Sequence, residues 1–211
     1  MGTKYELQQG NGLPTSWRTV TPLGFTGTDF TVNLAMGSLV PPAPGGPYQF
    51  QVRACDSAGR CGAWAQGPKF NIFPIDDGVA GSIIYNGNWT TEALAGSYGG
   101  TVHWTAGSGT ATIADKVTFT INGNVAWVST VGPDRGLAQV QVDGKTPQVV
   151  DLYQPTQQTG KVVWAVDNLT AGTTHTVTIT VLGKKSPLNP SPCTTGTKCA
   201  RVDVDMATWF K

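Results

Sequence analysis

Apolar and polar residues alternate with period two in most stretches of this chain that carry apolar side chains. In Tyr48-Gln49-Phe50-Gln51-Val52-Arg53-Ala54 the apolar residues fall on one side and the glutamines and arginine on the other. Val117, Phe119 and Ile121 alternate with Thr118 and Thr120, and Val177, Ile179 and Val181 follow the same rule. Successive side chains of a strand point to opposite faces, so this spacing belongs to half-buried β-strands. No segment keeps a helical period for more than a turn or two; one short helical turn is expected at 93–98. Glycine (27) and proline (14) supply the turns, and the expected class is all-β.

Charge excludes some partners. Lys and Arg number 14, Asp and Glu 13, and a net charge of +1 gives no field to draw nucleic acid or an anionic membrane. No apolar run reaches the roughly 20 residues of a membrane-spanning helix. No leader is visible, and any targeting sequence is taken as removed.

The four cysteines form two local pairs, Cys55/Cys61 and Cys193/Cys199, each bracketing a turn that contains glycine. Strands leaving such a turn bring opposite Cα atoms to about 5 Å, within disulfide range. Zinc is the competing reading, but neither His103 nor His175 is near a cysteine in sequence. Two disulfides are expected, and with them a secreted, extracellular protein.

Two domains are expected. Residues 1–73 hold strand-like segments at 5–9, 17–20, 30–34, 48–54 and 69–73, with a proline-rich stretch at 41–47. Residues 74–79 read as a short linker. Residues 80–211 carry strands expected near 83–85, 101–104, 116–121, 124–129, 137–142, 146–153, 161–168, 174–182 and 200–209. Turn chemistry at Asn122-Gly123, Gly132-Pro133, Asp143-Gly144 and Ala171-Gly172 separates several of them.

Two resemblances sharpen this. Tyr48-x-Phe-x-Val-Arg-Ala-x-Asp-x-Ala-Gly followed by Trp64 resembles the F strand, FG turn and G strand of a fibronectin type III module. The resemblance makes Tyr48 the tyrosine corner. Residues 5–9 then correspond to the third strand, so the module is incomplete, its first two strands wanting. The second domain resembles the jelly-roll, galactose-binding-like or carbohydrate-binding modules of secreted bacterial proteins. The likeness rests on Tyr85-x-Gly-x-Trp89, Tyr98-Gly-Gly-Thr-x-His103, Val125-Ala126-Trp127, Gly132-Pro133-Asp134-Arg135-Gly136, Val150-Asp151-Leu152-Tyr153 and Val202-Asp203-Val204-Asp205. It implies a jelly-roll β-sandwich behind a partial fibronectin type III sandwich.

Indole faces stack on the apolar faces of sugar rings, which makes Trp89, Trp104 and Trp127 candidate ligand platforms. The blander account, that such aromatics fill the core, is the more frequent one in small sandwiches. In the loop at 132–136 Asp134 can accept from sugar hydroxyls and the Arg135 fork can bridge them, with Tyr153 and Asp151 as neighbours. Against this stands a simple ion pair of Arg135 with Asp134 or Asp151. Asp143, Asp151, Asp203 and Asp205 could offer oxygens to a structural calcium ion. Calcium needs 6–8 oxygens, however, and no Asp-x-Asp-x-Asp-Gly loop occurs, so no cofactor is expected. Neither a nucleophile elbow nor a zinc-protease motif is present.

The expected function is a non-catalytic binding or cell-adhesion module whose partner is a glycan or cell-surface polymer. Trp89, Trp104, Trp127, Asp134, Arg135 and Tyr153 are the expected contacts. The alternative is a structural subunit of a filament or oligomer, completed by strand exchange at the open fibronectin-like edge. A third reading is a hydrolase that uses the sandwich aspartates.

Overall fold

A computed structural model describes residues 4–10, 17–19, 47–107, 115–190 and 199–210. The chain forms two compact units, Met1–Phe73 and Pro74–Lys211. The elements in chain order are β1 (Lys4–Gly10), β2 (Arg18–Thr19), β3 (Pro47–Cys55), β4 (Ala65–Asp76), β5 (Ile83–Asn86), β6 (Thr90–Ala93), a 3-10 turn (Tyr98–Gly100) and β7 (Thr101–Ala106). They continue with β8 (Lys116–Ile121), β9 (Asn124–Val131), β10 (Gly136–Val142), β11 (Gln148–Asp151), β12 (Gln158–Val166), β13 (His175–Lys185), β14 (Arg201–Val204) and β15 (Met206–Phe210). Among the described residues the protein is all-β, built from antiparallel sheets, as the alternation requires. No helix among them is long and apolar enough to cross a membrane.

In the first unit β1 pairs with β2 and β3, and β3 pairs with β4. Cys55 and Cys61 form a disulfide with their Cα atoms 4.0 Å apart, across the turn closed by Gly59 at φ +80°. Tyr48 is buried, but the strand departs from simple alternation further on. Gln51 is only 5% exposed and Val52 is 39% exposed. The reason is lateral: Gln51 Nε2 donates to Gln8 Oε1 at 2.8 Å and Gln51 Oε1 accepts from Gln66 Nε2 at 3.3 Å, so neighbouring amides cover it. Arg53 pairs with Glu6 at 2.7 Å on the same face, and its guanidinium lies over the Trp64 ring. The strand expected at 30–34 and most of the proline-rich segment lie outside the described residues. Residues 74–76, expected in a linker, are the end of β4.

The second unit has a five-stranded sheet in the order β11-β10-β13-β8-β5 and a three-stranded sheet β14-β7-β6, while β9 lies between β12 and β15. In β10 and β13 buried residues alternate with half-buried ones, so one face meets the core. In β9, by contrast, Val125 through Val131 are all buried, because strands flank it and side chains pack on both its faces. Trp127, Phe119, Ile121, Leu152 and Ile179 are the large members of that core. The segment expected as one strand over 200–209 is two. Its first part pairs with β7 and its second with β9, and the chain changes sheets at Asp205. Strand β6 had no signal of its own, since Thr90-Thr91-Glu92-Ala93 carries almost nothing apolar. The expected helical turn at 93–98 is instead the 3-10 turn at Tyr98–Gly100, whose two glycines take φ +66° and +84°.

Candidate functional site

Strand β14 reads Arg201-Val202-Asp203-Val204, with both valines in the core cluster and both charged residues on the opposite face. That second face is buried too. Asp203 is 0% exposed, Arg135 1% and Arg201 4%. Arg135 reaches Asp203 Oδ2 with Nε and Nη2, both at 2.6 Å, while Arg201 Nε donates to Oδ1 at 2.5 Å. Each arginine then turns outward. Arg135 Nη1 donates to Asp134, and Arg201 Nη1 donates to Glu92 Oε2 at 2.8 Å. The result is an alternating chain of charges, Asp134–Arg135–Asp203–Arg201–Glu92, sealed in the middle and open at both ends. Burial pushes the Asp203 carboxyl upward, and the two guanidiniums oppose it.

The two ends of this chain of charges reach solvent. The Asp134 and Glu92 side chains are each 40% exposed. Between them the half-buried Trp104 ring lies 4.6 Å from the Arg201 guanidinium, a cation–π contact set by the register that places Trp104 opposite Asp203. Backbone holds the assembly. Arg135 and Arg201 are parallel bridge partners, and Arg201 N donates to Asp134 O at 3.1 Å. Gly136 permits this approach: a Cβ there would lie 2.5 Å from Lys184 O and 2.6 Å from Ala200 Cα.

The neighbouring loops join the same end of the unit. Gly132 and Tyr153 form a parallel bridge, with Gly132 N donating to Leu152 O at 3.1 Å. Asn189 Nδ2 donates to Pro133 O at 2.9 Å, and Ser186 Oγ donates to Asp151 Oδ2 at 2.6 Å. Tyr153 is half-buried beside this loop.

Of the expected contacts, Trp104, Asp134, Arg135 and Tyr153 therefore belong to one region. Two of the six candidates need correcting. Trp127, at 0% exposure, is core, and Arg135 spends its guanidinium on Asp203 and Asp134, so neither offers a surface to a ligand. Trp89 lies elsewhere: it packs on Tyr85 at 5.2 Å, and its indole N–H donates to Asn86 O. Of the four aspartates weighed for calcium, Asp143 and Asp151 have separate partners, whereas Asp205 lies near Asp203, Asp76 and Asp77. Asp143 binds His175 at 2.7 Å, Asp151 takes Ser186 Oγ and Tyr153 N, and Asp203 takes the arginines. Cys199 is disulfide-bonded; Cys193 lies outside the described residues. Sequence reading missed Glu92 and Arg201. The available signal was Arg201-x-Asp203, two charges on one side of an otherwise apolar strand in a weakly charged chain.

A second polar cluster sits at the start of this unit. The Asp77 side chain is fully buried, accepts from Thr101 Oγ1 at 3.1 Å and pairs with His103 Nδ1 at 2.6 Å. Tyr85 stacks on His103 at 4.3 Å and donates its hydroxyl to Asp77 O. Burial raises the Tyr85 hydroxyl, and the charges of Asp77 and Asp76 add to the effect. Asp205 completes the cluster from the sheet crossover. Burial, with Asp77, Asp76 and Asp203 adding their charge, pushes its carboxyl up to about 7 against the opposing Tyr98 N–H.

No protein-family model matches the chain, and no curated protein matches it. Among solved structures it is similar to a Paenibacillus xanthan lyase, at 15% identity over 64% of this chain and 12% of that one, with a TM-score of 0.42. It is similar also to an exo-β-1,3-galactanase of Phanerochaete chrysosporium solved with galactose, at 17% identity over 98% of this chain and 51% of that one, with a TM-score of 0.40. A structure of the same galactanase with β-1,3-galactotriose gives 17% identity over 78% of this chain and 41% of that one, with a TM-score of 0.37. The chain thus spans between 12% and 51% of the length of these structures.

Proposed function

We propose that the second unit is a non-catalytic carbohydrate-binding module of an extracellular protein, taking a neutral glycan at the surface shared by Trp104, Glu92 and Asp134. One observation carries the reading: two half-exposed carboxylates are held in place by arginines that are themselves locked on a buried aspartate. Sugar hydroxyls are donors, and ordered carboxylates with lone pairs left over are the acceptors that fix their direction. Trp104 adds an aromatic surface beside them. Because the buried pairs already fix Arg135 and Arg201, binding need order few side chains, which lowers its cost. The first unit serves as a spacer. Its Cys55–Cys61 disulfide supports an oxidising compartment.

Affinity gel electrophoresis over a panel of neutral polysaccharides tests the reading. At least one should retard the protein, and Trp104→Ala should migrate as if the gel held no glycan. Unretarded migration on every polysaccharide would remove the proposal.

A further inference from the structure

We propose that Tyr98, on the turn that joins β6 to β7, is a second aromatic platform for the glycan, stacking on a sugar ring further along the same chain that meets Trp104. This platform rests on the glycan reading above and extends it. The ligand class becomes an uncharged polysaccharide long enough to lie along the hairpin, not a monosaccharide.

Among the described residues Tyr98 alone of the aromatic side chains is exposed, at 40%; the others are buried or half-buried. An exposed tyrosine by itself is ordinary surface. What sets Tyr98 apart is the fixed backbone beneath it. Tyr98 N–H donates at 2.7 Å to Oδ1 of Asp205, a residue of 0% exposure where β14 gives way to β15. Asp205 is itself tied by its backbone: its N donates to Val128 O and its O accepts from Asp77 N, each at 3.2 Å.

Further bonds close the turn on itself. Leu94 N donates to Gly100 O at 3.0 Å, Ser97 N donates to Leu94 O at 3.2 Å, and Gly100 N donates to Ser97 O at 3.3 Å. Ser97 Oγ adds a bond to Leu94 O at 2.6 Å. Gly99 then brings the turn against Asp76, where a Cβ would come within 2.6 Å of Oδ1. The ring therefore stands in solvent on backbone anchored to the interior. Binding need order little beyond the ring itself, and tyrosine has few torsions to lose.

The strand between the two aromatics suits a neutral chain. Thr90, Thr91 and Ala93 of β6 are exposed and uncharged, while Glu92 is paired with Arg201. Threonine hydroxyls both give and accept hydrogen bonds, as sugar hydroxyls do. From Thr101 to Trp104 alone the backbone rises about 10 Å, more than one pyranose ring spans. Tyr98 and Trp104 therefore serve different rings of one polymer.

Affinity gels of β-glucan, galactan, mannan and xylan test this, together with oligosaccharides cut from whichever polymer retards the native protein. Tyr98→Ala should weaken binding to that polymer by about threefold to tenfold, the worth of one aromatic stack. It should leave unchanged the affinity for the shortest oligosaccharide that still binds through Trp104, and Tyr98→Phe should restore the native affinity for the polymer. Equal weakening for short and long ligands would mean that the change merely loosens the hairpin carrying Glu92 and Trp104, and would overturn the platform. So would a native affinity for the polymer in Tyr98→Ala; if Trp104→Ala still abolished retention, the glycan surface would stand without Tyr98. No retardation by any of the four polymers would remove both. Should Tyr98→Ala fail to fold, NMR of the native protein decides: the Tyr98 ring protons should shift with long oligosaccharides and stay in place with the shortest, and a ring unmoved by both would overturn the platform.

Discussion

Arg135 and Arg201 are backbone bridge partners, and their side chains close on opposite oxygens of the same buried carboxylate, Asp203. They lie 66 positions apart in the chain, from 201 − 135, and meet because β14 passes the mouth of the loop that precedes β10. Three charges in the interior are tolerated only as a complete set, since removing one partner strands the others out of water.

Asp203→Ala should therefore destabilise the second unit by about 3–5 kcal/mol, as expected for a broken buried pair. Glu92→Gln, at the half-exposed end, should cost no more than about 1 kcal/mol, because solvent screens its ion pair. Chemical denaturation of both variants checks the ratio; equal losses would mean that the chain of charges is not sealed as described.

Trp104 and Trp127 should separate structure from binding. Trp127→Ala removes a fully buried ring and should cost about 3–5 kcal/mol. Trp104→Ala, which removes a half-buried ring, should cost less than Trp127→Ala while abolishing glycan retention. Thermal melts beside retardation assays distinguish the two.

Gly136→Ala should be among the more damaging single-methyl changes in the unit. The added carbon meets Lys184 O and Ala200 Cα, both backbone, so no side chain can swing away. Overpacking of this kind costs about 1–3 kcal/mol. A melting temperature equal to the native one would contradict the close approach.

Two carboxylates should give stability opposite slopes with pH. Asp205 has its carboxyl raised in the folded state, so its contribution is lost as pH rises toward 7. Asp143 is held below its ordinary value, first by the His175 hydrogen bond and then by Thr176 N–H, so its contribution is lost as pH falls through its folded value. A stability maximum in mild acid is expected, and denaturation curves at half-unit pH steps locate it.

The disulfide of the first unit closes a loop with a sequence separation of 6. Restricting so short a loop should stabilise that unit by about 2 kcal/mol. Replacing Cys55 and Cys61 together by serine, which leaves the disulfide at Cys199 intact, should lower the first unfolding transition without moving that of the second unit.

The strands of the five-stranded sheet were legible because each buries one face, and Val117, Phe119 and Ile121 announce it. Strand β6 was not, since pairing to β7, rather than apolar content, makes Thr90–Ala93 a strand. Gln51 and Val52 inverted the expected alternation because amides on neighbouring strands cover the glutamine, a lateral effect that a single strand does not encode. Asp134 and Arg135 stood out locally as an exposed pair. Their true partner, Asp203, is 68 positions away from Arg135, and local pattern carries no trace of such a contact. Asp205 was read as lying inside one strand over 200–209, whereas it is the point where one strand ends and the next begins.

The most direct measurement is NMR titration of the labelled protein with a neutral oligosaccharide drawn from a polysaccharide that retards it. The account predicts saturable shifts at the Trp104 indole and the Glu92 and Asp134 carboxyls, with Trp89 and Trp127 unmoved. Shifts centred on Trp89, or none at the first three residues under saturating ligand, would contradict it.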